Sequence, residues 1–338
     1  MPTEAPKAEQ RLILLTGASG LLGHNVLREL LKRGFRVRAI VRSEGAINEA
    51  AIPAGKEALL EVRVGNILDF KSLAQLSVGC DAAVNCAGVT DMSMLYLDDY
   101  IPVNRDLPVA LCSIMEKSGS MNTLVDVSSA NTIANGCALC PAREDESYRK
   151  PYSQSLYAQS KFLSEQNLTL WAKNHPDKRV IIVNPGYIIG GFDYKPSSGK
   201  LLLAGYRKPL MAAPGGGKSF VAASDAAGAI VNALDRGRSG QKYLLTSDNL
   251  TFKDLYKLQA MLLGYRQLYI KLPRALCLLV GALGSGLRRL GLKTMVSLTN
   301  VKIMCEEEFY DSTKATRELG LQHSPIADSI IAFWKTML

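Results

Sequence analysis

The sequence predicts an α/β fold, a doubly wound parallel sheet followed by a smaller, mostly helical C-terminal part. Two observations predict this class. Between residues 11 and 185, apolar strand-like runs alternate with amphipathic helical segments, a pattern typical of a parallel sheet with helices on both faces. After Pro185, turn-rich stretches interrupt the alternation, and roughly the last hundred residues are predicted to be mainly helical.

The predicted elements follow one another in order along the first part of the chain. Six strands are predicted in RLILLTG, FRVRAIVR, LLEVRVG, DAAVNCAG, MNTLVDVSS and RVIIVNPG. Helices are predicted after the first strand as far as about Gly34, in a short segment between the third and fourth strands, around 98–117 and around 152–174. QKYLLTS indicates one later strand, and Thr251 is predicted to cap the helix that follows it.

Composition and charge exclude several classes of protein. The chain has 338 residues, of which 47% are hydrophobic and 21% charged, and this balance is typical of a folded globular protein. The net charge is +9, but acidic and basic residues are interspersed, so we expect no nucleic-acid partner. A positive net charge is also compatible with an anionic cofactor or substrate.

The cysteines and the first residues bear on the compartment. Seven cysteines, an odd number spread mainly through apolar segments, indicate reduced thiols and not a disulfide scaffold. Cys137 and Cys140 form a CxxC without further ligands at zinc spacing, so no metal site is predicted. The start, MPTEAPKAEQR, lacks the apolar core of a secretory signal and is interpreted as a disordered lead-in. These observations together predict a cytoplasmic location.

The most apolar stretch of the chain is PRALCLLVGALGSGLRRLGL, residues 273–292. It is interrupted by glycines and is too short between its arginines to span a bilayer. We predict a helix of the C-terminal part that lines the substrate pocket. Contact with a membrane surface through the rim of Arg274, Arg288, Arg289 and Lys293 is the less favoured alternative.

The first strand runs directly into a glycine-rich turn. In LLTGASGLLGHNVLREL, Gly17, Gly20 and Gly23 have the spacing TGxxGxxG between a predicted strand and a predicted helix. Gly17 allows a tight turn, Gly20 lets the backbone approach a pyrophosphate at the helix N-terminus, and Gly23 permits close packing of helix on strand. This arrangement predicts a dinucleotide-binding site in a Rossmann fold.

The tip of the second strand bears on which dinucleotide is bound. An acidic residue there usually binds the adenosine ribose hydroxyls, whereas a 2′-phosphate requires a cation. In AIVRSEG, Arg42 occupies the tip and Ser43 follows, and a guanidinium matches a phosphate in geometry and charge. The sequence therefore favours NADP over NAD, and Glu44 is the main argument for NAD.

Two stretches place a tyrosine four residues before a lysine. They are SLYAQSK, with Tyr157 and Lys161, and EFYDSTK, with Tyr310 and Lys314. On a helix this spacing puts both side chains on one face, where the ammonium group can lower the pKa of the phenol. Tyr157 and Lys161 follow the fifth strand, which ends at Ser129, so all three can reach the crevice where open sheets bind ligands. Tyr310 and Lys314 fall beyond the sheet, where a helix start is the simpler interpretation.

Several motifs of the chain together resemble one known family. TGASGLLG, DAAVNCAG, DVSSAN, YAQSK and VNPGYIIGG, in this order, are similar to the extended short-chain dehydrogenase/reductase family, within the NAD-dependent epimerase/dehydratase superfamily. The resemblance extends from about residue 11 to residue 335. Arg42, NPGYIIGGFDYKPSSGK and YDSTKATRELG look most like its dihydroflavonol-reductase-like group.

The resemblance implies catalytic roles at matched positions. Tyr157 would exchange a proton with the substrate oxygen, and Lys161 would lower the pKa of Tyr157 and bind the nicotinamide ribose. Ser129 would hold the substrate oxygen, with Ser128 as the alternative by one position. Asn104, in IPVNRD, matches a helix asparagine that organises a proton-relay water, although the following Leu107–Pro108 departs from the family's pattern.

The resemblance also implies the remaining contacts of the cofactor. Besides the three glycines, Arg42, Tyr157 and Lys161, the matched positions are Thr16, Ser19, Leu21, Asn66, Ile67, Ala87 and Pro185. Asn66 replaces the family's usual Asp near the adenine and can still form hydrogen bonds there.

Two departures from the family's patterns bear on the substrate. Ala130 and Asn131 stand where family dehydratases have Asp–Glu, which disfavours sugar dehydration. Lys218 and Ser219 stand where sugar-nucleotide epimerases have an Arg-Asp-Phe-like segment, which disfavours a diphosphate-bearing substrate. Lys218 and Arg207 nevertheless remain candidates for binding a diphosphate.

These inferences lead to one predicted function with two alternatives. We predict an NADP(H)-dependent oxidoreductase that reduces a ketone, or oxidises the alcohol, of a ring-containing small molecule, like dihydroflavonol reductases or hydroxysteroid dehydrogenases. The alternatives are a nucleotide-sugar epimerase with bound NAD(P) and a non-catalytic dinucleotide-sensing protein. The intact set of Ser129, Tyr157 and Lys161 argues against sensing.

The predicted domains are interleaved along the chain. Residues 11–185 plus about 218–248 form the dinucleotide-binding domain, and about 186–217 plus 249–338 form the substrate-binding domain. The sequence leaves the oligomeric state open, and a homodimer is the assembly that the resemblance allows, since in the family the helix bearing Tyr157 and its neighbour around residue 110 often form a dimer face.

Overall fold

The computed structural model describes residues 11–337, and the predicted lead-in before Arg11 lies outside the described residues. The strands in chain order are β1 Leu12–Thr16, β2 Arg36–Val41, β3 Leu60–Val64, β4 Ala82–Asn85, β5 Thr123–Val127, β6 Arg179–Pro185, β7 Tyr187–Ile189, β8 Leu210–Ala213, β9 Gly217–Ala222, β10 Lys242–Leu245, β11 Asp248–Thr251, β12 Leu268–Lys271 and β13 Glu307–Glu308. The helices are α1 Leu21–Lys32, α2 Phe70–Leu76, α3 Leu107–Lys117, α4 Leu156–Asn174, α5 Lys200–Gly205, α6 Ala223–Arg236, α7 Phe252–Leu262, α8 Arg274–Arg289, α9 Leu298–Met304, α10 Thr313–Leu319 and α11 Ile326–Met337.

The large sheet confirms the predicted fold class. Its seven strands lie in the order β10-β6-β5-β4-β1-β2-β3, and every neighbouring pair is parallel. All six strands predicted in the first part are present, and QKYLLTS supplies the edge strand β10. The strand order reverses between β1 and β4, and a crevice opens at the carboxyl ends of strands at such a point.

Helices cover both faces of this sheet, which explains why its strands are nearly continuous apolar runs. On one face α1 and α6 pack together, with Val26, Leu30 and Ile230 in the same buried cluster. On the other face α3 and α4 contribute Leu111 and Leu168 to a second buried cluster. The large sheet is thereby withdrawn from solvent except at its ends and edges.

The remainder of the chain forms two small sheets and most of the later helices. In one sheet β9 pairs with β7, β11 and β13, and in the other β8 pairs with β12. Thr251 caps α7 by accepting a hydrogen bond from the Asp254 backbone N–H, as predicted. No helix among residues 11–337 is long and apolar enough to cross a membrane.

Two elements lie elsewhere than in the predicted domains. The strand β9 was assigned mostly to the dinucleotide-binding domain, yet it pairs only within the small sheet. The helix α10 was assigned to the substrate-binding domain, yet Ala315 and Leu319 pack in the buried cluster of the large sheet. The division of the chain into two domains stays a prediction.

The predicted helix around 98–117 contains an irregularity. A π-helical turn spans Pro102–Asp106, and α3 begins only at Leu107, whose N–H donates to the Pro102 carbonyl five residues earlier. Pro108 explains the irregularity because it has no N–H to donate to the Asn104 carbonyl four residues before it. Asn104 therefore lies at the irregular turn itself.

Candidate active site

The glycine turn after β1 has the geometry that a dinucleotide requires. Gly17 has a φ of 72°, and a Cβ there would lie 2.5 Å from the Ala87 nitrogen. A Cβ at Gly23 would lie 1.9 Å from the Gly17 carbonyl oxygen, so α1 can approach β1 only with glycine at this position. Both close contacts exclude any other residue.

The N-terminus of α1 is open where a pyrophosphate would bind. Ser19 and Gly20 are exposed, α1 begins at Leu21, and a Cβ at Gly20 would meet only the Gly17 oxygen, at 3.5 Å. Free backbone N–H groups at a helix N-terminus attract anions. The turn therefore fits the pyrophosphate of a dinucleotide.

Most other predicted cofactor contacts lie along the same edge of the sheet. Thr16 ends β1, Pro185 ends β6, and Ala87 follows β4 by two residues. Because these strands are parallel, their carboxyl ends meet at one edge. Thr16 directs its hydroxyl inward, where it donates to Asn85 Oδ1 at 2.5 Å, so only its backbone faces the crevice.

Asn66 and Ile67 follow β3 in an exposed turn. The Asn66 side-chain oxygen accepts a hydrogen bond from the Leu68 N–H at 3.0 Å, and Asp69 N–H donates to the Asn66 carbonyl at 3.0 Å. Asn66 is exposed and Ile67 half-buried. The Asn66 amide nitrogen thus stays available on the adenine side of the predicted site.

Arg42 directly follows β2 and is exposed. Glu44 is exposed as well, and within residues 11–337 neither side chain forms a salt bridge. The Arg42 guanidinium is therefore not neutralised by the acid two residues away.

Tyr157 lies in the first turn of α4, at the edge of a cavity. The helix begins at Leu156, and the Ser155 hydroxyl caps it by accepting a hydrogen bond from Ala158 N–H at 3.4 Å. Tyr157 lines a cavity of about 230 Å³ together with Tyr100, Leu95 and Arg288. Its phenol thereby faces a space that can hold a small molecule.

The pKa of Tyr157 differs from the sequence-based expectation. Burial raises it, the nearby Ser129 hydroxyl acts in the opposite direction, and Glu165 raises it further. Lys161 Nζ donates to the Val127 carbonyl at 2.7 Å, and its role in lowering the pKa of Tyr157 stays a prediction. Burial also lowers the pKa of Lys161, and the nearby Asp126 and Glu165 oppose that effect.

Hydrogen bonds distinguish the two adjacent serines. Ser128 donates to Glu165 Oε1 at 2.5 Å inside the fold, whereas the Ser129 hydroxyl accepts from Asn131 N–H at 3.2 Å and lies close enough to Tyr157 to act on its pKa. Adjacent residues at a strand end point to opposite sides. Ser129, and not Ser128, lies on the side of Tyr157.

Asn104 is buried beside the lysine. Its Oδ1 accepts from Val89 N–H at 2.8 Å, and its Nδ2 donates to Ser160 Oγ at 2.9 Å. A Cβ at Gly88 would lie 3.5 Å from Lys161 Nζ and 3.6 Å from Asn104 Oδ1, so both side chains flank Gly88. The structure brings Asn104 and Lys161 together, and the role of Asn104 in holding a proton-relay water stays a prediction.

Two buried carboxylates near the site were not singled out from the sequence. Asp126, on β5, accepts a hydrogen bond from Asn85 at 2.6 Å, and burial raises its pKa. Glu165 accepts hydrogen bonds from Ser128, Thr132 and Asn184, and Lys242 forms an ion pair with it at 2.5 Å. Two features of the sequence could have indicated them. The apolar strands DAAVN and TLVDV each contain a polar residue, and an acidic residue follows Lys161 by four positions.

The predicted pocket lining requires one correction. The stretch 273–292 does form a helix, α8, but it lines the cavity with Ser285 and Arg288 and not with its leucines. Arg288 donates to the carbonyls of Met92 and Met94, so it faces inward and is not part of the predicted basic rim. The apolar lining comes instead from the loop after β4.

The candidate diphosphate ligands do not meet at this cavity. Lys218 is ion-paired with the buried Glu308 and lies over the Tyr187 ring. Arg207 is exposed and lies over the Tyr206 ring. Neither residue is among those that line the cavity.

The second Tyr–Lys pair has no comparable setting. Tyr310 is buried, and it precedes α10 and does not lie on it. Lys314 donates to the Lys242 carbonyl at 2.7 Å and lies over the Tyr243 ring. The two side chains have different surroundings, in agreement with a helix start.

Comparison with known proteins gives consistent results. A Synechocystis protein with a provisional dihydroflavonol 4-reductase name is 28% identical over 330 residues, covering 94% of this chain and 91% of the relative. Sterol demethylase protein B of Methylococcus capsulatus is 26% identical over 313 residues, covering 91% and 92%. The crystal structure of gox2253 is 26% identical, covers 96% of this chain and 97% of its own, and has a TM-score of 0.80.

The family model agrees with the site. The model of the NAD dependent epimerase/dehydratase family matches residues 13–245, which include the glycine turn, Ser129, Tyr157 and Lys161. Proteins of this family bind a nicotinamide dinucleotide, NAD or NADP, which the turn after β1 fits. The chain belongs to the NAD dependent epimerase/dehydratase family.

Proposed function

We propose that this protein is an NADP(H)-dependent oxidoreductase that interconverts a ketone and an alcohol on a ring-containing small molecule. The proposal rests on one arrangement. Tyr157 lines a cavity, and Lys161, one turn further along α4, lies beside Gly88, the neighbour of the Ala87 against which Gly17 of the glycine turn packs. A proton donor and a dinucleotide site are thereby placed on the same crevice.

Ser129, Tyr157 and Lys161 have different roles in the reduction of the ketone. Ser129 orients the substrate carbonyl by donating a hydrogen bond to its oxygen, and this bond strengthens as negative charge develops there. Tyr157 gives its proton to that oxygen, and in oxidation it accepts the proton from the alcohol. The bound nicotinamide would supply or accept the hydride. Lys161 places a positive charge beside the site, with Asn104 next to it across Gly88.

The relatives bear out the enzyme class and the kind of substrate. Their names include reductases and dehydrogenases of ring compounds, such as dihydroflavonol and sterol derivatives. Nucleotide-sugar epimerisation is disfavoured because Lys218, its candidate phosphate ligand, is occupied by Glu308. Met92, Met94 and Leu95 give the cavity an apolar side that can contact a carbon ring, while Ser285, Arg288 and Asn300 give it a polar side.

Turnover with a panel of cyclic ketones tests the reaction. We expect NADPH oxidation to depend on the ketone, and Tyr157→Phe to lower the rate by roughly 10²–10⁴-fold because the proton donor is lost. Tyr310→Phe is the matched control and should leave the rate unchanged. Tight cofactor binding without net oxidation of any ketone, or full activity in Tyr157→Phe, would contradict the proposal.

The preference for NADP rests on the exposed, unpaired Arg42. We expect Arg42→Ala to weaken NADPH binding by about tenfold or more, because a charge-assisted hydrogen bond to the 2′-phosphate is lost. Binding of NADH, which lacks that phosphate, should not change. Titrations of both cofactors by fluorescence measure the two affinities. Equal weakening for both cofactors would show that Arg42 does not read the phosphate.

A further inference from the structure

The helix α8 exposes an apolar face to solvent. Side chains on α8 and at the residue after it, each 46% to 78% exposed, are Leu276, Leu279, Val280, Leu283, Leu287 and Leu290. At about 100° per residue these positions fall within an arc of about 100° on the helix surface. Leu292 and Met295 are exposed just beyond it. Single exposed apolar residues are common on protein surfaces, but a continuous apolar surface of this kind indicates an interaction site.

Packing on the other side of α8 determines this orientation. Cys277, Gly281 and Gly284 are buried where α8 meets α9 and the turn before it. A Cβ at Gly284 would lie 2.2 Å from the Val296 carbonyl oxygen, and one at Gly281 would lie 3.1 Å from Leu298 Cα. Only residues with almost no side chain fit here, so α8 cannot turn its leucines inward.

The surroundings of this face are strongly basic. From residue 255 to residue 305 the chain contains no Asp or Glu and eight Lys or Arg residues. Arg288 faces the cavity and Arg274 is paired with Glu306. Five others are exposed and, among the residues the structure describes, form no salt bridge: Lys257, Arg266, Lys271, Arg289 and Lys293.

We propose that the apolar face of α8 docks on a lipid bilayer bearing anionic headgroups. Its leucines would enter the boundary of the acyl chains while Arg289 and Lys293 meet lipid phosphates and carboxylates. The protein would lie on the bilayer, since none of the described helices can cross one. The docking is independent of the reaction proposed above.

Charge distinguishes this partner from a second copy of the chain. Asp91 lies near Lys293 within the same chain, and the opposite charges of the two side chains attract. In a twofold dimer through α8, Arg289 would face its own symmetry copy, and residues 255–305 contain no acid to pair with it. Like charges placed together oppose association. An anionic bilayer offers the complementary charge and an apolar interior at the same time.

Vesicle flotation with the full chain tests the proposal. We expect the protein to float with phosphatidylcholine vesicles containing roughly 30% phosphatidylserine and to float less with phosphatidylcholine alone. Binding should weaken when salt is raised to about 0.5 M, because the screening length shortens. Leu283→Glu should lower partitioning by about tenfold or more, since it places a carboxylate among the leucines.

Control variants separate docking from general effects. Leu139, 97% exposed in a distant loop, supplies the matched change Leu139→Glu, which should float like the wild type. Circular dichroism checks that each variant is folded, and the charge reversal Arg289→Glu with Lys293→Glu tests the basic rim separately. No flotation with either vesicle, or unchanged flotation of Leu283→Glu, would overturn the proposal. A dimer in solution that Leu283→Glu abolishes, with no lipid binding, would assign the face to a second copy instead.

Discussion

Two neighbouring serines serve opposite sides of the same strand end. The Ser128 hydroxyl donates to the buried Glu165, which also accepts from Thr132 and Asn184, whereas the Ser129 hydroxyl lies near Tyr157. Because successive side chains on a strand point to opposite sides, Ser128 supports the buried core while Ser129 is available for the reaction. Each serine can therefore be tested by one matched substitution.

We expect the two alanine variants to fail in different ways. Ser129→Ala should lower turnover by roughly 10²–10³-fold with little loss of stability, because the donor to the substrate oxygen is lost. Ser128→Ala should lower the free energy of unfolding by about 1–3 kcal/mol, because Glu165 loses a buried donor. Steady-state kinetics and urea unfolding measure the two effects. Loss of activity in folded Ser128→Ala, with Ser129→Ala active, would reverse the assignment.

At the scale of elements, α8 and α9 show how glycine sets the approach of two helices. Gly284 has the Val296 carbonyl directly against it, whereas a Cβ at Gly286, two residues on, would meet nothing within 4 Å. Gly286 is exposed on the same helix. Replacing each glycine by alanine therefore compares the same added methyl group in a close contact, at Gly284, and in open space, at Gly286.

Gly284→Ala and Gly286→Ala should change stability in opposite directions. We expect Gly284→Ala to lower the free energy of unfolding by about 1–3 kcal/mol, since the added methyl group forces α8 away from Val296. Gly286→Ala should raise it by about 0.5–1 kcal/mol, because alanine favours the helix. Thermal or urea unfolding measures both. Stabilisation by Gly284→Ala would mean that the contact at Val296 is looser than described.

At the scale of the whole molecule, His24 joins the glycine turn to the segment after β7. Its Nδ1 lies 3.0 Å from the Gly20 carbonyl, and its Nε2 accepts a hydrogen bond from Asn48 N–H at 3.2 Å. The ring also stacks on Phe192 and meets Tyr194 edge-on. This arrangement holds the neutral imidazole, and burial lowers the pKa of His24, with the Gly20 hydrogen bond opposing.

The pKa of His24 makes the stability of the fold depend on pH. The unfolded chain binds a proton at His24 near the ordinary pKa of 6.5, and the folded protein does so only at lower pH. Stability from the neutral ring is therefore complete above about pH 6.5 and declines as the pH falls toward the lowered folded pKa. We expect His24→Gln to show a smaller decline between about pH 7 and pH 5.

Urea unfolding at several pH values measures this dependence. The exposed His323 supplies the control, and His323→Gln should retain the wild-type profile. A decline as steep in His24→Gln as in the wild type would assign the pH dependence to other groups.

The extent of prediction differs between the parts of the site. The glycine turn and the helix with Tyr157 and Lys161 were predicted because their signals are local in sequence, a strand followed by TGxxGxxG and a tyrosine four residues before a lysine. Glu165 and Asp126 were not, because their importance comes from partners distant in the chain, such as Asn184 and Asn85.

The sequence by itself determined the parallel fold, the family and the residues that meet at the sheet edge, because strand alternation and glycine spacing are properties of short segments. Tertiary structure alone decided three matters. These are that Ser128 donates to the buried Glu165, that burial raises the pKa of Tyr157, and that the leucines of α8 face outward. The local sequence does not determine which side of a strand or helix faces the interior. A contact with a residue distant in the chain determines it, as when Val296 packs against Gly284.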